Sequence, residues 1–149
     1  LNAVEKTNQK QMEYIIQLIE KILGKITSKR ITILGTAFKP NTDDIRDSIA
    51  IELIKKLLKK KAHITVHDPK AIKNTKKVFG RKIDYAKSIV DALSKSQCVI
   101  IMTHWKQYEK LNNNSIKHMD KKFIIDCRRI LAKKELRAEY HAIGMGKIK

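Results

Sequence analysis

Two stretches of the chain hold side chains suited to chemistry. In residues 35–48, Lys39 and Arg46 stand beside Asp43 and Asp44, and in residues 126–129 two consecutive arginines, Arg128 and Arg129, follow Asp126 and Cys127. Arginine suits bidentate contact with phosphate, and two arginines beside a buried strand are costly unless they meet anions or carboxylates. Ligand binding and structural pairing are therefore both open for them. A third place is His104 beside Trp105, residue types used for proton transfer or base stacking.

The elements around these residues place them on one rim. The β-branched run Ile31 to Leu34 predicts a buried strand, and Gly35 permits a sharp turn out of the sheet. Asp47 or Ser48 can then cap a helix running to Lys61, with Ile51, Leu53, Ile54, Leu57 and Leu58 inward and five lysines outward. Apolar runs at 62–67, 97–102 and 123–126 predict further strands, the second continuous enough for a central parallel strand. Alternating strands and helices imply a parallel sheet with right-handed crossovers, whose ligands bind at the carboxyl ends of the strands. Lys39, His104 and the arginine pair all follow strands.

Ordered landmarks add a resemblance. Gly35, Ala37, Phe38, Lys39, Thr42, Asp44, Arg46 and Ser48 match the pattern G-x-A-F-K-x-x-T-x-D-x-R-x-S. His67-Asp68-Pro69, Thr103-His104-Trp105, Asp126-Cys127-Arg128-Arg129 and Ile143-Gly144 follow in order over nearly the whole chain. The chain thus resembles the C-terminal, UDP-binding domain of the UDP-glucose/GDP-mannose 6-dehydrogenase family. The resemblance implies an NAD-dependent oxidoreductase of polysaccharide biosynthesis that oxidises C6 of a nucleotide sugar twice, through a thioester on a cysteine in an upstream glycine-rich motif. Neither Cys98 nor Cys127 lies in such a motif, so no catalytic residue is expected in this chain, and alone it is expected to be inactive.

By the same resemblance, Phe38, Lys39 and Arg129 contact the nucleotide sugar, with Arg128 the alternative because some relatives carry a single arginine there. Arg46 reaches NAD, which is bound mainly by a preceding N-terminal domain. The sequence leaves open whether the substrate is UDP-glucose, a UDP-N-acetylhexosamine or GDP-mannose. Three positions depart from the family pattern: His104, where glutamate is usual and the role looks structural, Cys127, where glycine is common, and Lys61, another usual glycine. His104 is accordingly given no catalytic role.

The glycine fingerprint of a dinucleotide site is absent, only Gly35 of a G-x-G-x-x-G being present. The fold class expected is α/β, a Rossmann-like three-layer parallel sheet preceded by a long N-terminal helix. Its bounds are 1–28 for the helix and 29–149 for the nucleotide-sugar-binding domain. Met12, Ile15, Ile19, Ile22 and Ile26 form the apolar seam of that helix, which packs on its own domain or, like the connecting helix of the family, forms a homodimer contact. A chain opening on Leu1 inside a helix, without an initiator Met, is expected of a piece of a longer protein.

Elsewhere the expectations are local. Asp68 serves either a ribose hydroxyl or, the preferred reading, a turn and helix cap with Pro69 at the first helical position. Residues 70–87 read as polar, with a turn at Phe79-Gly80 and a short strand at Ile83 to Tyr85. Ser88 caps a helix at 89–95, residues 130–137 read as another helix, residues 139–143 as a last strand, and Gly144 to Gly146 as a flexible exit.

Composition bounds the partners. The 149 residues are 42% hydrophobic, enough for one domain with a core between helical layers. Lysine supplies 27 of the 33 cations, against 15 acids, for a net charge of +18. Nucleic-acid binding is the sharp reading of that charge, but no DNA- or RNA-binding motif accompanies it, and a solvated lysine surface is preferred. Either way the field would attract an anionic nucleotide. Cys98 and Cys127 suggest neither a disulfide framework nor a metal site, and no stretch is apolar enough to span a bilayer. A reducing cytoplasm is the expected compartment. The readings that compete with a dehydrogenase domain are a stand-alone basic dimerising module and a nucleic-acid-binding module.

Overall fold

A computed structural model describes residues 2–144. The predicted strands become β1 (Arg30–Leu34), β2 (His63–His67), β3 (Asp84–Tyr85), β4 (Cys98–Ile101), β5 (Phe123–Asp126) and β6 (Glu139–Ala142). They form one sheet in the order β3-β2-β1-β4-β5-β6, and every pairing is parallel. Strand order reverses between β1 and β4, where Ile31 registers with Cys98 and Leu34 with Ile101. From Ile31 onward both strands are buried on both faces, so β4 reads as an unbroken apolar run and β1 is interrupted only by Thr32, whose hydroxyl donates to Ala92 O.

Helices cover the two faces as α1 (Ala3–Leu23), α2 (Ile49–Lys59), α3 (Ile72–Phe79), α4 (Ile89–Leu93) and α5 (Asn113–Ile116). One core layer joins α1, α2 and the sheet through Ile15, Ile19, Leu53, Ile54 and Ile100, and the other joins α4 and α5 to the sheet through Leu93, Tyr108, Ile116 and Ile124. The seam residues Met12, Ile15 and Ile19 are thus buried within this domain. Helix α1 stops earlier than its periodicity suggests, because Gly24 takes φ 81° and donates its N–H to Glu20 O; Ile26 is buried from the following turn.

Two local expectations fail. Residues 70–87, read as polar beyond a helix start at Pro69, contain α3, whose inward positions Thr75 and Phe79, with the N-cap residue Ala71, are buried at spacings of four. Thr75 hid the stripe; its hydroxyl donates to Ala71 O instead of needing water. That helix starts at Ile72, so Pro69 is not its first residue. Residues 130–137 form turns, not a helix, because their backbone donors go elsewhere: Leu131 N–H to the Asp126 carboxylate and Arg137 N–H to Asn113 Oδ1. Of the exit segment, Gly144 is described and residues 145–146 lie outside the described residues.

Helix α2 ends in a Schellman motif, with Ala62 N–H bonded to Leu57 O and Lys61 N–H to Leu58 O. Lys61 takes φ 68° there. The left-handed position explains why glycine would suit it. At the other end, Ser48 is the N-cap residue but its hydroxyl donates to Thr36 O rather than accepting from the first turn of the helix.

Candidate functional site

Three loops that leave β1, β4 and β5 meet at the point where strand order reverses. The first is closed on itself: Phe38 N–H donates to Asp44 O at 2.9 Å, and Ile45 is tucked against the core. Gly35 must be glycine, since at φ 96° a Cβ would lie 2.4 Å from the Thr103 side chain. Thr103 in turn donates its hydroxyl to Ala37 O, tying the second loop to the first. From the third, the Arg128 side chain reaches back under β4 and donates Nε–H to Met102 O at 2.7 Å.

The loops enclose a crevice of about 400 Å³ lined by Phe38, Lys39, Asp47, His104 and Arg128 above a floor that includes Ala50 and Met102. Phe38 is 41% exposed, and the Lys39 ammonium lies 5.5 Å from the centre of its ring. Burial pulls the Arg128 guanidinium down from its ordinary range, with Cys127 opposing. The bond of Arg128 to Met102 O holds the guanidinium at the wall of the crevice.

The other two expected site residues point elsewhere. Arg129, at φ 56°, follows the sharp turn after Arg128 and sets its guanidinium beside Gly144 and Tyr140 rather than in the crevice lining. The Arg46 side chain is 87% exposed and pairs with Asp44 at 2.7 Å, on a separate depression that it shares with Asn74 and Lys77. That pairing holds the Asp44 carboxyl down to about 2. Phe38, Lys39 and Arg128 are therefore brought together, and Arg129 and Arg46 lie outside that group.

Next to the crevice the same rim is sealed. Asp68, 4% exposed at the end of β2, accepts from Thr36 N–H and Ala37 N–H with Oδ2 and from Lys70 N–H and Ala71 N–H with Oδ1. The Trp105 indole donates to Oδ2 as well, at 3.1 Å. The amides that in a dinucleotide fold would face a pyrophosphate are thus occupied by a side chain of this chain. Asp68 is a structural acceptor, not a ribose ligand, and the turn after β1 has no cradle for a dinucleotide.

Both cysteines are free thiols and buried. Burial pushes the Cys98 thiol well up, and the Cys127 thiol is pushed up to about 12, burial again being the main cause. No group of three or more His, Cys, Asp or Glu placed to hold a metal ion occurs among the described residues. Two lining features escaped sequence reading: the acceptor role open to Asp47, taken there only as a cap, and the bond from His104 Nε2 to Glu109 Oε2 at 2.6 Å. Asp47 takes a left-handed φ of 59°, which no periodicity announces.

Comparison with known proteins gives the family of the chain. A sequence model described as UDP-glucose/GDP-mannose dehydrogenase family, UDP binding domain, matches residues 32–133. UDP-glucose 6-dehydrogenase TuaD of Bacillus subtilis is 31% identical over 148 residues, which are 97% of this chain and 32% of that protein. UDP-glucose 6-dehydrogenase AglM of Haloferax volcanii is 37% identical over 135 residues, 91% of this chain and 31% of that protein. A UDP-glucose dehydrogenase structure from Pyrobaculum islandicum superposes with TM-score 0.79 at 34% identity, covering 90% of this chain and 29% of that one. The chain therefore spans about a third of the length of these relatives.

Proposed function

Because this chain belongs to the UDP-glucose/GDP-mannose dehydrogenase family through its UDP-binding domain, we propose that it serves as the nucleotide-sugar-binding C-terminal part of an NAD-dependent UDP-sugar 6-dehydrogenase. The observation that carries this is the crevice at the β1–β4 switch point, where Phe38, Lys39 and Arg128 converge within the matched segment. Lys39 supplies a mobile cation and Arg128 a fixed one, a pair suited to a diphosphate. Phe38 gives an apolar surface on which a sugar or base can lie.

Oxidation at C6 requires NAD and a thiolate, and both belong to the preceding part of such an enzyme. Here the amides after β1 are committed to Asp68, and both thiols are buried and protonated. The isolated chain accordingly binds but does not turn over. Arg46, exposed and reaching outward, is the residue available to touch NAD held by another domain; Arg129 lies beside Tyr140 of β6, outside the crevice.

The same proposal includes a homodimer through α1 and a cytoplasmic location. With Met12, Ile15 and Ile19 committed to the core, the dimer face is the outer one that exposes Val4 and Tyr14. No helix among the described residues is long and apolar enough to cross a membrane.

Titrating this chain with UDP tests the reading. Saturable binding that Lys39→Ala weakens at least tenfold supports it. A chain indifferent to UDP that binds duplex DNA with a steep salt dependence is instead a basic nucleic-acid module.

A further inference from the structure

The polar side chains of the crevice divide into two kinds. Lys39 and Arg128 can only donate. Asp47 and His104 are different, and nothing proposed so far uses them. The Asp47 carboxylate lines the same space and makes no hydrogen bond among the described residues.

His104 is held on three sides. Thr103 before it is bonded to Ala37 O, and Trp105 after it to the Asp68 carboxylate, so the backbone cannot drift without losing one of these bonds. Its ring is fixed by Glu109, whose Oε2 lies 2.6 Å from Nε2. An ionised carboxylate only accepts, so Nε2 carries the proton, and in the neutral tautomer this selects, Nδ1 is a lone-pair acceptor. Nδ1 has no partner among the described residues, and the side chain is 47% exposed.

A cavity offering two cationic donors and two acceptors, one of them held in place, matches a ligand with an anionic half and a hydroxylated half. We propose that His104, together with Asp47, accepts hydrogen bonds from hydroxyl groups of the nucleotide sugar, so that this end of the crevice reads sugar while Lys39 and Arg128 hold phosphate. The proposal rests on the nucleotide-sugar reading above and adds the groups that discriminate within it. Glu109 acts through His104 as a positioning residue by fixing the tautomer. The hydroxyls belong to the ribose or to the hexose, and the choice of probe separates these.

The experiment is calorimetric titration of the full chain with UDP-glucose, UDP and inorganic pyrophosphate, with thermal melting of each variant as the check on folding. His104→Ala weakens UDP-glucose binding at least tenfold and leaves pyrophosphate binding within twofold. His104→Asn, which keeps an acceptor, recovers part of the loss, and Glu109→Gln gives a smaller loss of the same selectivity. A loss already seen with UDP assigns the contact to ribose, and one confined to UDP-glucose assigns it to the hexose. Equal losses on pyrophosphate and UDP-glucose, or none on either, overturn the proposal. Failure of the underlying reading looks different: wild-type chain ignores UDP-glucose, or Lys39→Ala leaves pyrophosphate binding unchanged, and both conclusions fall together.

Discussion

Asp68 and Lys39 sit on the same carboxyl rim of the sheet and have opposite fates. Asp68 is 4% exposed and takes five N–H donors from three segments of chain, so its charge is consumed in holding β1, β2 and the β4 loop together. Lys39 forms no ion pair among the described residues and sets its ammonium 5.5 Å from the centre of the Phe38 ring. The sealed corner fixes the shape of the open one. A functional residue on this rim is recognised by what it leaves unsatisfied, and a structural one by having nothing left to give.

The widest break in that contrast is Asp68→Ala. Five donors lose their acceptor in a buried place, and the expected cost is about 4 kcal/mol of folding stability, read as a large fall in chemical-denaturation midpoint. A midpoint within error of wild type would mean that the rim is held by something other than Asp68. Lys39→Ala should do the reverse: at least tenfold weaker UDP binding, about 1.4 kcal/mol, with an unchanged melting temperature. If it unfolds the chain instead, the two corners are not distinct.

Acid sharpens the comparison. His67 at the end of β2 bonds Tyr108 Oη through Nδ1, and burial lowers its pKa, with Asp68 opposing. A base with a lowered folded pKa binds more protons when unfolded, so stability is full at neutral pH and declines as pH falls below the ordinary imidazole value near 6.5. His67→Gln should flatten that decline in a pH series of thermal melts; an unaltered slope would assign the acid sensitivity to other groups. The smallest effect lies farthest from the site. Lys61→Gly relieves the left-handed strain of the α2 cap and should stabilise by about 0.5–1 kcal/mol, leaving UDP affinity untouched.

Much of this was legible in the sequence because the strands are buried on both faces, and continuous apolar runs such as Cys98 to Ile101 have few other uses. The charges of the loop after β1 were equally legible, since the Asp44–Arg46 pair closes within it, whereas the clash that requires Gly35 comes from distant Thr103. What escaped depends on partners distant in sequence. The α3 stripe passes through Thr75, polar by type but bonded internally, so periodicity missed it. Residues 130–137 have helical composition, yet Asp126 and Asn113 take their amides from outside the segment. The separation of Arg128 from Arg129 turns on one left-handed residue, and no spacing rule distinguishes neighbours.

Trp105 gives the rim a consequence of another sort. It is the only tryptophan of the 149 residues, it is 6% exposed, and its indole N–H is bound to the carboxylate that joins the three segments. An indole so placed emits at shorter wavelength than one in water, and its lifetime and colour respond to the loss of that single bond. The domain thus carries its own optical gauge, adjacent in sequence to His104, and closure or loosening of the rim can be timed in unlabelled protein on the scale of a mixing experiment.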